Sequence, residues 1–167
     1  MKIKLRKWNN QDTQPLVHLA NNPNIANYLR DVFPSPYQAK DAAFFIQLCQ
    51  QADSNTDLPF AITVDGSLVG SIGLTRQVDV KRKSAELGYW IGEEYWNKGI
   101  ATQAVKQICE IGWNYWDINR IYAEVFSNNL ASCQVLKKSG FQQEGILQKS
   151  IFKNGNFFDS ILFSKIQ

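Results

Sequence analysis

The hydrophobic positions of this chain recur with two periods, one typical of β-strands and one typical of α-helices. Apolar and polar residues alternate over residues 3–6, which predicts a strand at the start of the chain. Over residues 38–52 the apolar side chains instead recur at helical spacing, which gives a helix with one hydrophobic face. Asp65-Gly66 and Asn154-Gly155 are typical of hairpin turns, and each separates two strand-like runs. The chain therefore combines helices with paired strands.

Taken over the whole length, these patterns predict a mixed α/β chain. The predicted strands span residues 3–6, 58–64, 67–74, 84–91, 120–126, 141–149 and 156–166. The predicted helices span about 10–21, 38–52 and 103–116, with a short helical piece at 24–29 and a short helix after residue 126. The order β-α-α-β-β-β-α-β-α-β-β predicts an α/β (α+β) fold with a mixed, largely antiparallel central sheet flanked by helices.

Composition narrows the possible classes of protein. A chain of 167 residues with 44% hydrophobic and 20% charged residues is expected to form one globular domain over residues 1–167. A net charge of +3 argues against a dedicated nucleic-acid surface, and no segment is apolar enough to span a membrane. Cys49, Cys109 and Cys133 form no C-x-x-C pair, so we expect reduced thiols in a cytoplasmic protein. His18 is the only histidine, and we expect no metal site.

One segment between a predicted strand and a predicted helix has the properties of an anion site. It consists of Trp96, Asn97, Lys98, Gly99, Ile100, Ala101 and Thr102. Glycine lets a ligand approach the backbone closely, and the first N–H groups of a helix have no partner within the helix. The segment therefore predicts binding of a phosphate or pyrophosphate. The G-x-x-x-x-G-K-S/T and G-x-G-x-x-G motifs are both absent, which argues against a nucleoside triphosphate or a dinucleotide.

A second motif follows the anion segment at a fixed distance. Residues 96–101 resemble the pyrophosphate loop of the GNAT N-acetyltransferase superfamily, R/Q-x-x-G-x-G/A, with Trp96 in place of Gln or Arg. Residues 129–141 resemble the N-x-x-S-x-x-x-L/Y-x-K-x-G-F segment of the same superfamily. The chain is most similar to the branch of ribosomal-protein N-terminal and spermidine acetyltransferases, and the resemblance extends from Ile3 to Ile166.

The resemblance implies acetyl-CoA as co-substrate, with its pyrophosphate on residues 96–102. It implies that the pantetheine arm pairs with the backbone of Tyr89, Trp90 and Ile91, where this strand separates from its neighbour. The side chains of Tyr89 and Trp90 are expected to pack in the core. Asn129 matches a position that contacts the cofactor arm, and the same residue is also placed to cap a helix.

The resemblance also suggests two catalytic side chains. Glu86 matches a carboxylate that meets the cationic amine in polyamine-acetylating relatives, and a partly buried carboxylate is suited to take its proton. The alternatives are a surface ion pair with the basic run at 81–83, or Glu124 as the base. Ser132 matches a serine near the sulfur of CoA, and its hydroxyl is suited to donate to the leaving thiolate. Leu136 stands where many relatives have a tyrosine acid, which leaves Ser132, a water or an unassisted thiolate.

The function implied is an acetyl-CoA-dependent N-acetyltransferase that acts by direct transfer in a ternary complex. No cysteine has an evident histidine partner that would indicate an acyl-enzyme. The acceptor is a primary amine: a protein N-terminus, a polyamine or a small amine metabolite. The loop at residues 30–37 matches the segment that shapes the acceptor pocket in relatives. A non-catalytic CoA-binding sensor or regulatory module is the alternative, and a homodimer through the terminal strands is possible.

Overall fold

A single sheet of seven strands organises the protein. The computed structural model describes residues 1–167. The strands are β1 (Ile3–Arg6), β2 (Asp57–Val64), β3 (Ser67–Arg76), β4 (Ser84–Ile91), β5 (Arg120–Phe126), β6 (Gln142–Lys153) and β7 (Asn156–Ile166). Their spatial order is β1-β2-β3-β4-β5-β7-β6. All neighbouring pairs are antiparallel except β4 and β5, which run parallel. The predicted fold class, a mixed and largely antiparallel sheet with flanking helices, is confirmed.

Five helices connect the strands, and none of them has the length and apolar character needed to cross a membrane. They are α1 (Thr13–Ala20), α2 (Pro23–Ala26), α3 (Ala39–Gln51), α4 (Ile100–Tyr115) and α5 (Leu130–Lys138). The predicted bounds of β4, β5 and β7 agree with the structure, whereas α4 begins three residues before the predicted 103. The short helix predicted at 24–29 instead spans Pro23–Ala26. It starts at Pro23 because the Asn22 side chain caps it and proline is favoured in the first turn of a helix. β6 continues to the hairpin turn because a bulge near Lys149, with φ 51°, interrupts the register without ending the strand.

Side chains of β4 alternate between two separate cores. A core of 23 buried residues joins one face of the sheet to α4 and α5, and it contains Ala85, Leu87 and Ile91. A smaller core of nine residues joins the opposite face to α1 and α3, and Trp90 packs against it. Because successive strand residues point to opposite faces, Glu86 shares the Trp90 face and Tyr89 shares the α4 and α5 face.

The sheet opens between β4 and β5. The two strands pair only where Ser84 to Glu86 face Arg120 to Tyr122. Beyond that point β5 continues to pair with β7, and β4 continues to pair with β3. The last five residues of β4 therefore have a neighbouring strand on one side only, and a gap lies on the other side.

Candidate active site

The backbone of β4 presents every second residue to this gap. The Gly92 amide donates to the Val69 carbonyl at 2.8 Å, which identifies the even-numbered residues as those bonded to β3. Tyr89 and Ile91 therefore direct their backbone groups toward the gap, because hydrogen-bonding directions alternate along a strand. The backbone of Trp90 faces β3 instead, which corrects the prediction that all three consecutive residues are available to a ligand. A run of three was not possible on a regular strand.

The segment that follows β4 forms a left-handed turn in front of α4. Asn97 has φ 60°, and Gly99, the N-cap residue of α4, has φ 74°. The first hydrogen bond of the helix is donated by the Gln103 amide to the Gly99 carbonyl at 3.2 Å. No side chain caps the helix, and the space beside the Gly99 Cα is open to 4 Å. The N–H groups of Ile100, Ala101 and Thr102 are thus free for an anion, which fits the pyrophosphate of acetyl-CoA.

Two side chains of this turn are used internally. The indole Nε1–H of Trp96 donates to the Ile91 carbonyl at 2.7 Å, and so ties the turn to the end of β4. Trp96 therefore has a structural reason to stand where relatives have Gln or Arg. The Lys98 ammonium donates to the Glu94 carbonyl at 2.8 Å and lies 5.4 Å from the centre of the Tyr95 ring. Lys98 turns back on its own loop and away from the helix N-terminus.

The side chain of Tyr89 has a polar partner that sequence reasoning missed. Its hydroxyl lies 2.7 Å from the Ser132 hydroxyl of α5 and 3.4 Å from the Ser132 carbonyl. Burial raises the pKa of Tyr89 above its usual value, and the hydrogen bond with Ser132 opposes this only in part. The phenol therefore keeps its proton at neutral pH. Odd-numbered β4 residues face α5, and a buried tyrosine needs a partner, so the sequence held a signal for this pair.

α5 carries the remaining predicted residues. The Asn129 side-chain oxygen accepts a hydrogen bond from the Ser132 amide at 3.2 Å, so Asn129 caps this helix as the structural alternative predicted. Leu136 is fully buried in the larger core. The position at which many relatives carry a tyrosine is therefore closed to the gap, and the nearest tyrosine hydroxyl to Ser132 is that of Tyr89 on β4.

Glu86 lies where β4 and β5 begin to separate, and its side chain is 30% exposed. One of its carboxylate oxygens accepts a hydrogen bond from the Arg30 guanidinium at 2.9 Å. The predicted alternative, an ion pair of Glu86 with residues 81–83, is wrong because Glu86 pairs with Arg30 and Lys83 pairs with Asp117.

Glu124 lies on β5, on the same face of the sheet as Glu86. Tyr122 stands between the two carboxylates, opposite Glu86 in the β4–β5 register. Burial raises the pKa of Tyr122, and the negative charges of Glu86 and Glu124 add to this effect. Both carboxylates are therefore close to one phenol, but Glu124 is exposed and lies further along β5. No group of three or more His, Cys, Asp or Glu side chains has the arrangement of a metal site.

Comparison with known proteins assigns the family. Residues 2–142 match the acetyltransferase (GNAT) domain, and the chain belongs to this family. Spermidine N(1)-acetyltransferase of Escherichia coli K12 is 29% identical over 163 residues, which cover 95% of this chain and 83% of that protein. The putative ribosomal N-acetyltransferase YdaF of Bacillus subtilis 168 is 29% identical over 164 residues, which cover 98% and 79%.

A solved structure shows the same fold with the cofactor bound. The microcin C7 self immunity acetyltransferase MccE, in complex with acetyl-CoA and AMP, superposes with a TM-score of 0.86 at 25% identity. The superposition covers 99% of this chain and 93% of that chain. The protein is thus an enzyme of the acetyl-CoA-dependent N-acetyltransferase family.

Proposed function

We propose that this enzyme transfers the acetyl group of acetyl-CoA directly to a primary amine within a ternary complex. The observation that carries the proposal is the gap beside β4, with an uncapped helix N-terminus at one end and Glu86 at the other. Direct transfer is supported by the surroundings of the cysteines, which are all free thiols. Burial raises the pKa of Cys49 and of Cys109 to about 12, so neither thiol is suited to act as a nucleophile.

In this proposal acetyl-CoA occupies the gap beside β4. The free amides at the start of α4 bind the pyrophosphate, and Gly99 provides the necessary open space. The backbone of Tyr89 and the Ile91 amide pair with the pantetheine arm as they would with an added strand, while the Ile91 carbonyl stays bonded to Trp96. The Asn129 oxygen is used by the α5 cap, which leaves its amide nitrogen to contact the arm.

Glu86 binds the acceptor ammonium and takes its proton, directly or through a water. The amine lone pair then attacks the thioester carbonyl, the carbon–sulfur bond breaks, and the sulfur leaves with the bonding electrons. The nitrogen of the new amide loses its second proton to water. The Ser132 hydroxyl donates a hydrogen bond or a proton to this thiolate, and the Tyr89 phenol can resupply it at 2.7 Å. Glu124 is the alternative base on the same face.

Product analysis with a panel of amines tests the proposal. The enzyme is incubated with acetyl-CoA and spermidine, free amino acids or N-terminal peptides, and acetylated products are identified by mass spectrometry while free CoA is measured in parallel. We expect one amine class to be acetylated with stoichiometric release of CoA. A non-catalytic sensor would bind acetyl-CoA and release no CoA with any amine, which would refute the proposal.

We further propose that residues 1–167 act as one acetyltransferase domain in the cytoplasm, where unpaired thiols persist. Homodimerisation through the terminal strands is proposed by analogy with related enzymes. β6 supports it, because this strand lies at the edge of the sheet and carries exposed apolar side chains, among them Ile146 and Phe152. Sedimentation analysis of the purified protein tests the oligomeric state.

A further inference from the structure

We propose that Arg30 recognises a carboxylate on the acceptor, so that the enzyme favours free amino acids over polyamines. The inference rests on the proposed function of Glu86 as the ammonium site. Its starting observation is the ion pair at 2.9 Å between the Arg30 guanidinium and the Glu86 carboxylate. These residues are 56 positions apart in the chain, and they meet at the point where the sheet begins to open.

The loop that carries Arg30 is fixed on both sides of this residue. On one side, the Asn154 amide donates to the Asn27 side-chain oxygen at 3.1 Å. On the other, the Lys153 ammonium donates to Asp31 at 2.9 Å, and the Lys153 side chain is only 10% exposed. The β6–β7 hairpin therefore holds the loop in place on both sides of Arg30, and this position brings Arg30 to Glu86.

The charges at this position determine which acceptor fits. Asp31 is already paired with Lys153, so Glu86 is the one carboxylate bound to Arg30. An acceptor ammonium that binds Glu86 leaves the Arg30 guanidinium without its bound carboxylate and places two cations beside Glu86. A polyamine adds further positive charge there. A free amino acid brings its own carboxylate next to its ammonium, and Arg30 exchanges one carboxylate for another in the bidentate geometry that a guanidinium favours.

Separating the ion pair between Arg30 and Glu86 costs little free energy. Arg30 is 78% exposed, and an ion pair with an exposed partner contributes little to stability. Exchange of Glu86 for a substrate carboxylate is therefore feasible without movement of the fold. Substitution of Arg30 is also expected to leave the fold intact, which makes the residue suitable for a test.

The test compares amino acids with their own amides. For each parent amino acid, kcat/KM is measured with the free acid and with the amide, and the ratio of the two is compared between the wild-type enzyme, Arg30→Gln and the control variant Arg82→Gln. The lower basicity of the amide's amine cancels in this comparison. We expect Arg30→Gln to lower the acid-to-amide ratio by at least about tenfold, mainly through KM for the acid. Arg82→Gln makes the same substitution on the turn before β4, outside the loop that carries Arg30, and should leave the ratio unchanged.

Three results would overturn the inference. If Arg30→Gln and the wild type have equal acid-to-amide ratios, or if the wild type prefers spermidine, Arg30 does not select for a carboxylate, although the proposed acetyl transfer stands. If no amine of the panel is acetylated, the proposed function fails, and this inference fails with it.

Discussion

The hydroxyl pair of Tyr89 and Ser132 gives the most quantitative prediction of the proposed mechanism. The two oxygens are 2.7 Å apart, and both residues are half-buried. The perturbation is a double-mutant cycle of Tyr89→Phe, Ser132→Ala and the combined variant. Each single substitution removes one hydroxyl and keeps most of the packing, so the cycle isolates the interaction between the two groups.

The expected magnitude follows from what each single variant leaves behind. A hydrogen bond contributes about 0.5–1.5 kcal/mol net, and a buried polar group left without a partner costs about 1–3 kcal/mol. In Ser132→Ala the phenol of Tyr89 still has the carbonyl of residue 132 at 3.4 Å, so we expect a loss near ~1 kcal/mol. In Tyr89→Phe the half-buried serine hydroxyl can bind water, and the loss is again about 1 kcal/mol.

The double variant leaves no orphan hydroxyl and should be little less stable than either single variant. The expected coupling free energy is therefore about 1 kcal/mol, which corresponds to a difference of about 2–4 °C in Tm for a chain of this size. Urea unfolding of the four proteins measures it. Additive losses in free energy would show that the two hydroxyls do not stabilise each other.

The turnover rates of the same four proteins give a second double-mutant cycle. Loss of a donor to developing charge costs on the order of 10²-fold in rate, so Ser132→Ala should lower kcat on that scale while KM for acetyl-CoA stays unchanged. Tyr89→Phe should lower kcat less, and it should have no further effect when Ser132 is already alanine. A wild-type rate for Ser132→Ala on the true acceptor would refute a role for this pair at the thiolate.

Three further predictions concern the base, the anion site and the core. Glu86→Gln should leave acetyl-CoA binding intact, lower turnover at neutral pH and shift the pH–rate profile toward higher pH. Glu124→Gln should keep the wild-type profile. Equal pH–rate profiles for Glu86→Gln and the wild type would show that Glu86 is not the base. Gly99→Asp should weaken acetyl-CoA binding, measured by calorimetric titration, at least about tenfold more than Gly99→Asn. Both substitutions strain the same turn, and only Asp adds a negative charge. An unchanged affinity in the folded Asp variant would contradict this placement of the pyrophosphate. Leu136→Ala should lower the free energy of unfolding by about 2–5 kcal/mol, because it leaves a cavity in the core, and turnover per folded molecule should be retained. A large loss of rate in a variant of unchanged stability would contradict a packing role for Leu136.

The parts of the structure that depend on local patterns could be predicted from the sequence. The bounds of β4 and β5, the hairpin turns and the glycine turn before α4 all follow from strand periodicity or from residues that favour a turn. The predicted start of α4 at residue 103 is late because the motif at residues 96–102 has the composition of a loop, whereas the helix begins directly after Gly99. In this case one residue with positive φ is enough to end the turn.

Contacts between distant segments could not be predicted in the same way. The pairing of Glu86 with Arg30 joins a strand to a loop 56 residues earlier, and local charge suggested the nearby basic run instead. The pairing of Tyr89 with Ser132 spans 43 residues and depends on how α5 packs against β4. Strand alternation gave the face on which each side chain lies, but the identity of its partner is decided by tertiary packing.

The geometry of β4 accounts for how one short strand can serve both proton transfers of the proposed reaction. Its even-numbered side chains, including Glu86, lie on the face shared with α1 and α3, and Tyr89 lies on the face shared with α4 and α5. The base for the amine and the donor for the thiolate are therefore on opposite faces of the sheet. Because a hydroxyl placed beside a carboxylate would donate its hydrogen bond to it, this separation leaves the Ser132 hydroxyl available to the thiolate and Glu86 available to the ammonium. The free edge of the strand lies between the two faces, and it is there that the backbone groups of Tyr89 and Ile91 are proposed to meet the acetyl-CoA arm.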